Sequence, residues 1–413
     1  MVLPLLYKDQ IDESDLVGLQ GMPSETDLLD IKSKSYTVKP DDVWKPEICE
    51  DICAFANAKG GLIVLGMKED ASGKVDDLCG LGAGFNTDDE IKRLKQVADT
   101  GIVPSIPGLR FKPVQLSDPT KAVAIVIQIP HGITAPHKVV RLRQGASQSG
   151  QIFKIRHSNG NADMSLDELR MAFNLAESYI ERVRRFRRNR VTGIDDDGSE
   201  ESFLPLASGV RFVMHIVPVA FSEIDNTVDL SLLLNPVDSS NGVIEMGNAH
   251  TRRFNFDGVF ALYGNYHEAD GGYQEYMQVF RSGAIEFVTV YRKHIQEVAQ
   301  NMFHGAWIER DALEHISQAL RISKKISVQP PLAIMLSILG VRDFKVMSGH
   351  HGHVTSVSIT RDWLLLPEVI LTDYSEDLHQ VLKPAFDIVW NSGGWSGSGS
   401  YDEQGKWINT SYG

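Results

Sequence analysis

The N-terminal part of the chain alternates between a helical repeat and apolar runs of strand length. In "WKPEICEDICAFANAKGG", apolar side chains recur three and four positions apart, which predicts a helix that ends at Gly60 and Gly61. Pro46 is compatible with the first turn of that helix. The next run, "LIVLG", is continuously apolar and bounded by glycines, so we expect a strand that is buried on both faces.

Similar patterns continue to residue 190. A T-x-x-E capping box, in which Thr87 would cap the helix and Glu90 would reach back, predicts the start of a second helix. Strands are predicted at 122–130, "AVAIVIQIP", and at 153–157, "FKIRH". An S-x-x-E capping box at Ser165 precedes a long amphipathic helix that ends in "ERVRRFRRNR".

The sharpest change of composition follows that helix. Six arginines within residues 181–190 give way to "GIDDDGSEES", a run of like charges and glycines. Later runs such as "RFVMHIVPV" predict strands, "YMQVFRSGAIEFVTVY" predicts a hairpin that turns at Ser282 and Gly283, and helical patterns return towards the end. We therefore predict an α+β protein with a first domain at 1–190, an acidic linker at 191–202, a second α+β domain at 203–392, and a Gly/Ser-rich tail, flexible or loosely docked, at 393–413.

The formal net charge of -13 conceals a basic middle segment. Residues 110–190 hold 15 Lys and Arg against 6 Asp and Glu, a net charge of +9, whereas the segments before and after it are acidic. An anionic partner can therefore bind at one face of an acidic protein. Only three cysteines occur, with no disulfide-like spacing, and no secretion signal or membrane span is visible, so we expect a cytoplasmic protein with reduced thiols.

Candidate chemistry begins at "SETDLLDIKSK", residues 24–34. If this stretch is a helix followed by a strand, Glu25, Asp30 and Lys32 can project towards a common cleft. The buried strand "LIVLG" would deliver Glu69 and Asp70 to the same place. Converging carboxylates repel one another unless a cation lies between them, and oxygen ligands suit Mg²⁺ or Mn²⁺. The alternative is that these acids are solvated residues at the ends of strands and helices.

The order of these motifs resembles the Schlafen AlbA-2 domain family. "SETDLLDIKS", "ICEDICAFANAKGGLIVLGMKED", "IPHGITAPH" and "FKIRHSNGNADMS" correspond to its successive motifs across roughly residues 15–175. The resemblance implies a mixed sheet with flanking helices. Because some members are metal-dependent RNA endonucleases with three acidic side chains, it implies catalytic and metal-binding roles for Glu25, Asp30 and either Glu69 or Asp70, with Lys32 as the lysine of the motif.

Basic residues supply candidate contacts to nucleic acid. By the same resemblance, Arg156 corresponds to a family arginine beside the central strand and is a candidate contact to phosphate. The alternative is an ordinary salt bridge at the end of the strand. Guanidinium groups bind phosphate bidentately, and the arginine-rich helix end offers a set of them. The alternative for that helix end is a solvated terminus beside the acidic linker. The predicted contacts on this helix are Arg182, Arg184, Arg185, Arg187 and Arg188.

These observations lead to two functional hypotheses. The first is a cytoplasmic endoribonuclease that uses Mg²⁺ or Mn²⁺ to cut structured RNA such as tRNA, acting as a homodimer in stress or antiphage defence. The second is a non-catalytic regulator that binds RNA or DNA through its basic residues and carries a C-terminal sensor domain. Cleavage of RNA that depends on Glu25 and Asp30 distinguishes the first hypothesis from the second.

Overall fold

A computed structural model of the chain describes residues 2–6, 8, 10–36, 44–132, 135–140, 152–158, 160–196, 203–219, 228–233, 249, 251–292, 296–347 and 357–408. The chain divides into unit 1, Met1–Ser178, and unit 2, Tyr179–Gly413. Both units contain helices and sheets, which confirms the α+β prediction. None of the helices in the described part of the chain is long and apolar enough to cross a lipid bilayer.

Unit 1 is built around a mixed four-stranded sheet. Its helices are α1 (Val2–Leu6), α2 (Glu13–Val17), α3 (Trp44–Ala56), α4 (Thr87–Gly101) and the first part of α5 (Leu166–Asp195). Its strands are β1 (Leu29–Lys32), β2 (Gly61–Leu65), β3 (Met67–Glu69), β4 (Val75–Leu78), β5 (Ile102–Val103), β6 (Arg110–Gln115), β7 (Val123–Ile129), β8 (Lys138–Val139), β9 (Lys154–His157) and β10 (Gly160–Asp163).

The order of strands in the main sheet is β1-β2-β7-β6. Strand β1 runs parallel to β2, whereas β7 is antiparallel to both β2 and β6. Every residue of β2 and β7 is buried, as their continuously apolar sequences predict. One face of the sheet packs against α3 and α4, and the other packs against α1, α2 and the β3–β4 hairpin. The two central strands are therefore covered on both faces.

Two glycines allow α3 to pass tightly into β2. Gly60 has a φ of +75°, and a Cβ atom at this position would lie 2.6 Å from the carbonyl oxygen of Ile129. A Cβ atom at Gly61 would lie 2.4 Å from the ring of Phe55. Asn57 secures the same passage, because its side-chain amide donates to the carbonyl of His137 and its oxygen accepts from the His137 amide. The helix, the turn and the strand were all predicted correctly.

Two local predictions in unit 1 need correction. Residues 26–28 form no helix, because the Thr26 hydroxyl accepts hydrogen bonds from the amides of Leu28 and Leu29 and so fixes a turn before β1. Helix α4 begins at Thr87, but its N-cap is Asn86, whose side chain accepts from the amide of Asp89. At α5 the predicted capping box is present, with the Ser165 side chain bonded to the amide of Glu168 and the Glu168 carboxylate bonded to the Ser165 amide.

Unit 2 contains the rest of α5 and a large antiparallel sheet. Its other helices are α6 (Gln296–Ala299), α7 (Gly305–Lys325) and α8 (Leu378–Ser392). Its strands are β11 (Gly209–Pro218), β12 (Thr251–Phe254), β13 (Gly258–Tyr263), β14 (Glu275–Phe280), β15 (Ile285–Arg292), β16 (Met302–His304), β17 (Leu332–Leu339), β18 (Lys345–Met347), β19 (Trp363–Leu365) and β20 (Val369–Leu371).

The large sheet has the strand order β12-β13-β14-β15-β11-β17-β19, with β20 also paired to β17. The β14–β15 pair is the predicted hairpin, and Gly283 in its turn has a φ of +83°. One face of the sheet packs against α7 and α8. Val191 and Ile194 of α5 pack against the other face. The sheet of unit 2 is therefore covered by helices on both faces.

The structure describes parts of the predicted linker and of the predicted tail. Residues 191–195 belong to α5, and burial of Val191 and Ile194 extends the helix into the segment that we assigned to the linker, whereas 197–202 lie outside the described residues. In the tail, the hydroxyls of Ser398 and Ser400 donate to the buried Glu309 carboxylate, which also accepts from the Trp390 indole at 2.7 Å. The described part of the tail, 393–408, is thus docked on unit 2, and 409–413 lie outside the described residues.

Candidate functional site

A lysine surrounded by three carboxylates lies at the carboxyl end of β1. The Nζ atom of Lys32 is 3.3 Å from Asp30, 3.2 Å from Asp51 and 3.9 Å from Glu47. Asp30 and Lys32 are two residues apart and therefore share a face of β1, whereas Glu47 and Asp51 are four residues apart on one face of α3. The side chains of Asp30 and Asp51 are only 12% and 10% exposed. We call these four residues the Lys32 cluster.

Neighbouring polar groups fix the geometry of the Lys32 cluster. The Asp51 carboxylate accepts hydrogen bonds from the Tyr36 hydroxyl and the Asn161 amide, each at 2.7 Å. The Lys32 ammonium lies 5.3 Å from the centre of the Tyr36 ring. Strand β1, helix α3 and strand β10 therefore meet at one network of hydrogen bonds and ion pairs.

Burial and charge act in opposite directions within the cluster. Burial raises the pKa of Asp30 above its ordinary value, and Lys32 only partly offsets this effect. Burial also opposes the charge on Lys32, but the carboxylates of Asp51 and Asp30 outweigh it, so the pKa of Lys32 is raised. Lys32 therefore remains an ammonium ion at neutral pH and holds the carboxylates around it.

The other predicted acids have partners of their own. Glu25 lies 3.1 Å from the Arg156 guanidinium, and its side chain is 54% exposed. Glu69 accepts a hydrogen bond from the Ser24 hydroxyl. Asp70 closes a turn in which its carboxylate accepts from Ser72, and this bonding lowers the pKa of Asp70. Each of the three carboxylates thus has a bonding partner of its own, although Glu25 pairs with Asp30 through the backbone and Glu69 lines the same cleft as Lys32.

These positions bear directly on the predicted metal site. Only Asp30 of the four proposed ligands lies in the Lys32 cluster, where an ammonium group already occupies the position between two carboxylates. Among the described residues, no group of three or more His, Cys, Asp or Glu side chains could hold a metal ion. The donor set predicted from the sequence therefore does not fit Mg²⁺ or Mn²⁺ in this arrangement.

Arg156 is buried, and its contacts hold neighbouring segments of unit 1 together. Its side chain is 1% exposed, and its guanidinium donates to the Thr26 carbonyl and to the Asn161 side chain, both at 2.9 Å. It also lies 4.7 Å from the centre of the Phe55 ring. Arg156 therefore anchors the turn that carries Glu25, and the predicted phosphate contact would require it to leave this site.

The arginines predicted on α5 lie in unit 2 and differ in exposure. Arg187 is buried and donates to the carbonyl of Leu366 at 2.6 Å. Arg184 donates to Glu368 at 2.6 Å. Of the other three, Arg182 lies over the Tyr179 ring, Arg188 lies 3.9 Å from Glu181, and Arg185 is exposed. The helix end is therefore divided between arginines that stabilise unit 2 and arginines that face solvent.

A cleft of about 550 Å³ opens beside the Lys32 cluster. It is lined by residues 31–36, by Glu47 and by residues 67–69. Lys34 and Lys68 are exposed at this cleft, and neither forms an ion pair with a carboxylate in the described part of the chain. Ser33 is also exposed there and adds a hydroxyl donor. The cleft thus presents the ammonium groups of Lys34 and Lys68 and the Ser33 hydroxyl, alongside the exposed carboxylates of Glu47 and Glu69.

Tyr36, Glu47 and Asp51 belong to the site although they were not predicted from the sequence. The four-residue spacing of Glu47 and Asp51 on a predicted helix is a signal that could have placed both on one face. Lys34 and Lys68 were also missed, because they were read only as neighbours of the predicted acids. Lys34 and Lys68 come together only at the cleft between β1 and β3, and this cleft can be recognised only from the tertiary structure.

Most of unit 1 matches the model of a known protein family. Residues 25–164 match the model of the family described as Schlafen, AlbA_2. The match confirms the resemblance found in the sequence and indicates a nucleic-acid-related role for this part of the chain. No curated protein matches the chain in sequence.

Two solved structures show limited similarity. The DIP2311 protein from Corynebacterium diphtheriae is 17% identical with a TM-score of 0.20, and the match covers 31% of this chain and 19% of that protein. The N-terminal domain of a RecG-related protein from Nitrosomonas europaea is also 17% identical with a TM-score of 0.20, and the match covers 32% of this chain and 80% of that domain. The chain thus spans about a fifth of the length of the corynebacterial protein.

Proposed function

We propose that unit 1 binds nucleic acid through the cleft beside the Lys32 cluster, with Lys34 and Lys68 contacting backbone phosphates. The observation that carries this proposal is the pair of exposed lysines at the cleft, which have no carboxylate partner among the described residues. The family match supports a nucleic-acid-related role for the same part of the chain.

The chemistry of the cleft suits a phosphate backbone. Ammonium groups attract phosphate oxygens and release the counterions that surround a nucleic acid. The Ser33 hydroxyl can donate a further hydrogen bond, of the kind that positions a backbone without reading its sequence. The Lys32 cluster does not add to this attraction, because its three carboxylates outnumber its single ammonium group. Its role is to hold β1 against α3, which fixes one wall of the cleft.

The ligand that we propose is RNA, and DNA shares the phosphate chemistry. A contact between an ammonium group and a phosphate does not involve a base edge or a 2′-hydroxyl group, so the affinities for RNA and DNA have to be compared directly. The predicted homodimer, the cytoplasmic location and the role in defence stay predictions.

The nuclease hypothesis is the more specific alternative. For it to hold, Asp30 has to exchange Lys32 for a metal ion, Glu25 has to leave Arg156, and Glu69 or Asp70 has to leave its hydrogen-bonding partner. The present arrangement favours binding over hydrolysis, because these carboxylates are distributed among separate partners. Metal-dependent cleavage is therefore an outcome that the experiments must include.

Binding is tested by fluorescence anisotropy with a labelled tRNA-like stem-loop RNA and with DNA of the same sequence. The double variant Lys34→Ala and Lys68→Ala should bind roughly tenfold or more weakly, because two charged hydrogen bonds to phosphate are lost. The matched control replaces Lys92 and Lys95, two exposed lysines of α4 outside the cleft, and should bind like the wild type.

Two outcomes would contradict this proposal. Equal affinities for the wild type and the Lys34/Lys68 variant would show that the cleft does not contact the backbone. Cleavage of the RNA by the wild type in the presence of Mn²⁺, abolished by Asp30→Asn, would replace the binding proposal with the nuclease hypothesis. A preference for the RNA over the DNA would identify RNA as the ligand, and equal affinities would leave the backbone alone as the recognised feature.

A further inference from the structure

A patch of polar and charged side chains interrupts the apolar contact between α7 and the sheet of unit 2. Along β14, Met277 and Val279 face α7 and belong to the core. Glu275 is two residues before Met277 and therefore faces the same side. In the sheet it pairs with Tyr263 of β13 and with Thr289 of β15. A carboxylate thus lies on the face of β14 that otherwise carries the apolar residues Met277 and Val279.

Helix α7 places four polar residues opposite this row, namely Asp311, Glu314, His315 and Gln318. Three of them have bonding partners in the sheet. The Tyr291 hydroxyl donates to Asp311 at 2.7 Å, the Gln318 amide donates to the Tyr263 hydroxyl at 3.2 Å, and His315 lies 3.2 Å from the Thr289 hydroxyl. The middle of α7 is therefore attached to the sheet by hydrogen bonds as well as by apolar packing.

Glu275 differs from its neighbours because it has no ion-pair partner among the described residues. The charged groups of α7 that act on it are the carboxylates of Asp311 and Glu314. Arg310 is bonded to Asp311 at 2.9 Å. Burial and the two carboxylates raise the pKa of Glu275 to about 7.

The remaining groups around Glu275 do not compensate its charge. Tyr263 of β13 and Tyr291 of β15 are phenols whose pKa values are raised by burial, so both are neutral. Burial lowers the pKa of His315 to about 4, so this ring is neutral as well. The charge of Arg252 on β12 lowers the pKa of Tyr263 at the edge of the patch, against the larger effect of burial. Ionised Glu275 therefore faces carboxylates across a half-buried contact.

We propose that Glu275 is a proton-operated latch between the sheet and α7, closed when its carboxyl group is neutral and loosened when it ionises beside Asp311 and Glu314. The sign follows from linkage. A carboxyl group whose pKa is higher in the folded state stabilises that state fully below its unfolded value, about 4.3, and the stabilisation is lost as the pH rises to about 7. Local opening of α7 should therefore increase across this range of pH.

The latch is tested on the full chain by hydrogen–deuterium exchange measured by mass spectrometry. After correction for the intrinsic effect of pH on exchange, the equilibrium constant for opening of α7 should increase by up to roughly tenfold for each pH unit between pH 5 and 7. Glu275→Gln should remove this dependence, because the amide stays neutral. The control Glu403→Gln, at an exposed position of the tail, should behave like the wild type.

A second variant keeps the test decisive if Glu275→Gln does not fold. Glu314→Gln removes one of the two charges that raise the pKa of Glu275 in the folded state, so the increase in α7 opening should level off at a lower pH and reach a smaller amplitude. The proposal is overturned if α7 opening in the wild type does not depend on pH, or if the dependence persists unchanged in both Glu275→Gln and Glu314→Gln.

Discussion

Replacing Lys32 with methionine should expose the electrostatic function of its cluster. The substitution keeps a long side chain but removes the ammonium group that lies 3.3 Å from Asp30 and 3.2 Å from Asp51. The two carboxylates are then left nearly buried without a cation. Breaking a fully buried ion pair costs about 3–5 kcal/mol. Because the Lys32 side chain is 26% exposed, water screens part of this effect, and we expect a loss of about 2–3 kcal/mol at pH 7.5.

The cost of Lys32→Met should depend on pH. Burial already raises the pKa of Asp30 in the wild type, and loss of Lys32 raises it further. Asp30 will therefore bind a proton at a higher pH in the variant than in the wild type, and its protonation as the pH falls relieves the uncompensated charge. The stability difference between the wild type and the variant should shrink accordingly. Adding Asp30→Asn to the variant should recover about 1 kcal/mol at pH 7.5 for the same reason.

Hydrogen–deuterium exchange of peptides from β1, β2 and α3 gives the required measurement, because it reports on unit 1 separately from unit 2. Lys92→Met on α4 is the matched control, since an exposed position should change stability by less than about 0.5 kcal/mol. If Lys32→Met is no more costly than this control at pH 7.5, the ion pairs do not stabilise the site and the electrostatic reasoning is wrong.

Two further predictions concern packing. Gly61→Ala should destabilise unit 1 by about 1–3 kcal/mol, because the new methyl group would meet the Phe55 ring at 2.4 Å, and thermal unfolding of the variant should start at a lower temperature. Glu309→Ala should cost about 2–3 kcal/mol and speed limited proteolysis of the tail, since it leaves the Trp390 indole and two serine hydroxyls without their acceptor. Normal protection of the tail in this variant would show that Glu309 is not its anchor.

Local sequence patterns were enough to predict the framework of unit 1. Strands β2 and β7 are short apolar runs bounded by turn residues, and helix α3 has a clear apolar stripe, so each is specified by residues close together in the chain. The cap of α4 was misassigned because Asn86 and Thr87 are both competent capping residues and the pattern alone cannot separate them. Such errors are limited to one or two residues.

The site was less predictable because its contacts join distant segments. Lys32 was identified, but its partners Glu47 and Asp51 come from a helix whose docking beside β1 is not encoded in any local pattern. The arginines of α5 read as a basic surface, yet Arg187 is buried against Leu366, far away in the sequence. In both cases the charge was visible in the sequence and the partner that neutralises it was not.

The salt dependence of binding to the tRNA-like RNA tests the central claim most directly. If Lys34 and Lys68 each contact a phosphate, replacing both with alanine should reduce the slope of log Kobs against log salt concentration by about 1.4–1.8, since each contact contributes about 0.7–0.9. The Lys92 and Lys95 control should retain the wild-type slope. An unchanged slope in the Lys34/Lys68 variant would contradict the assignment of nucleic-acid binding to this cleft.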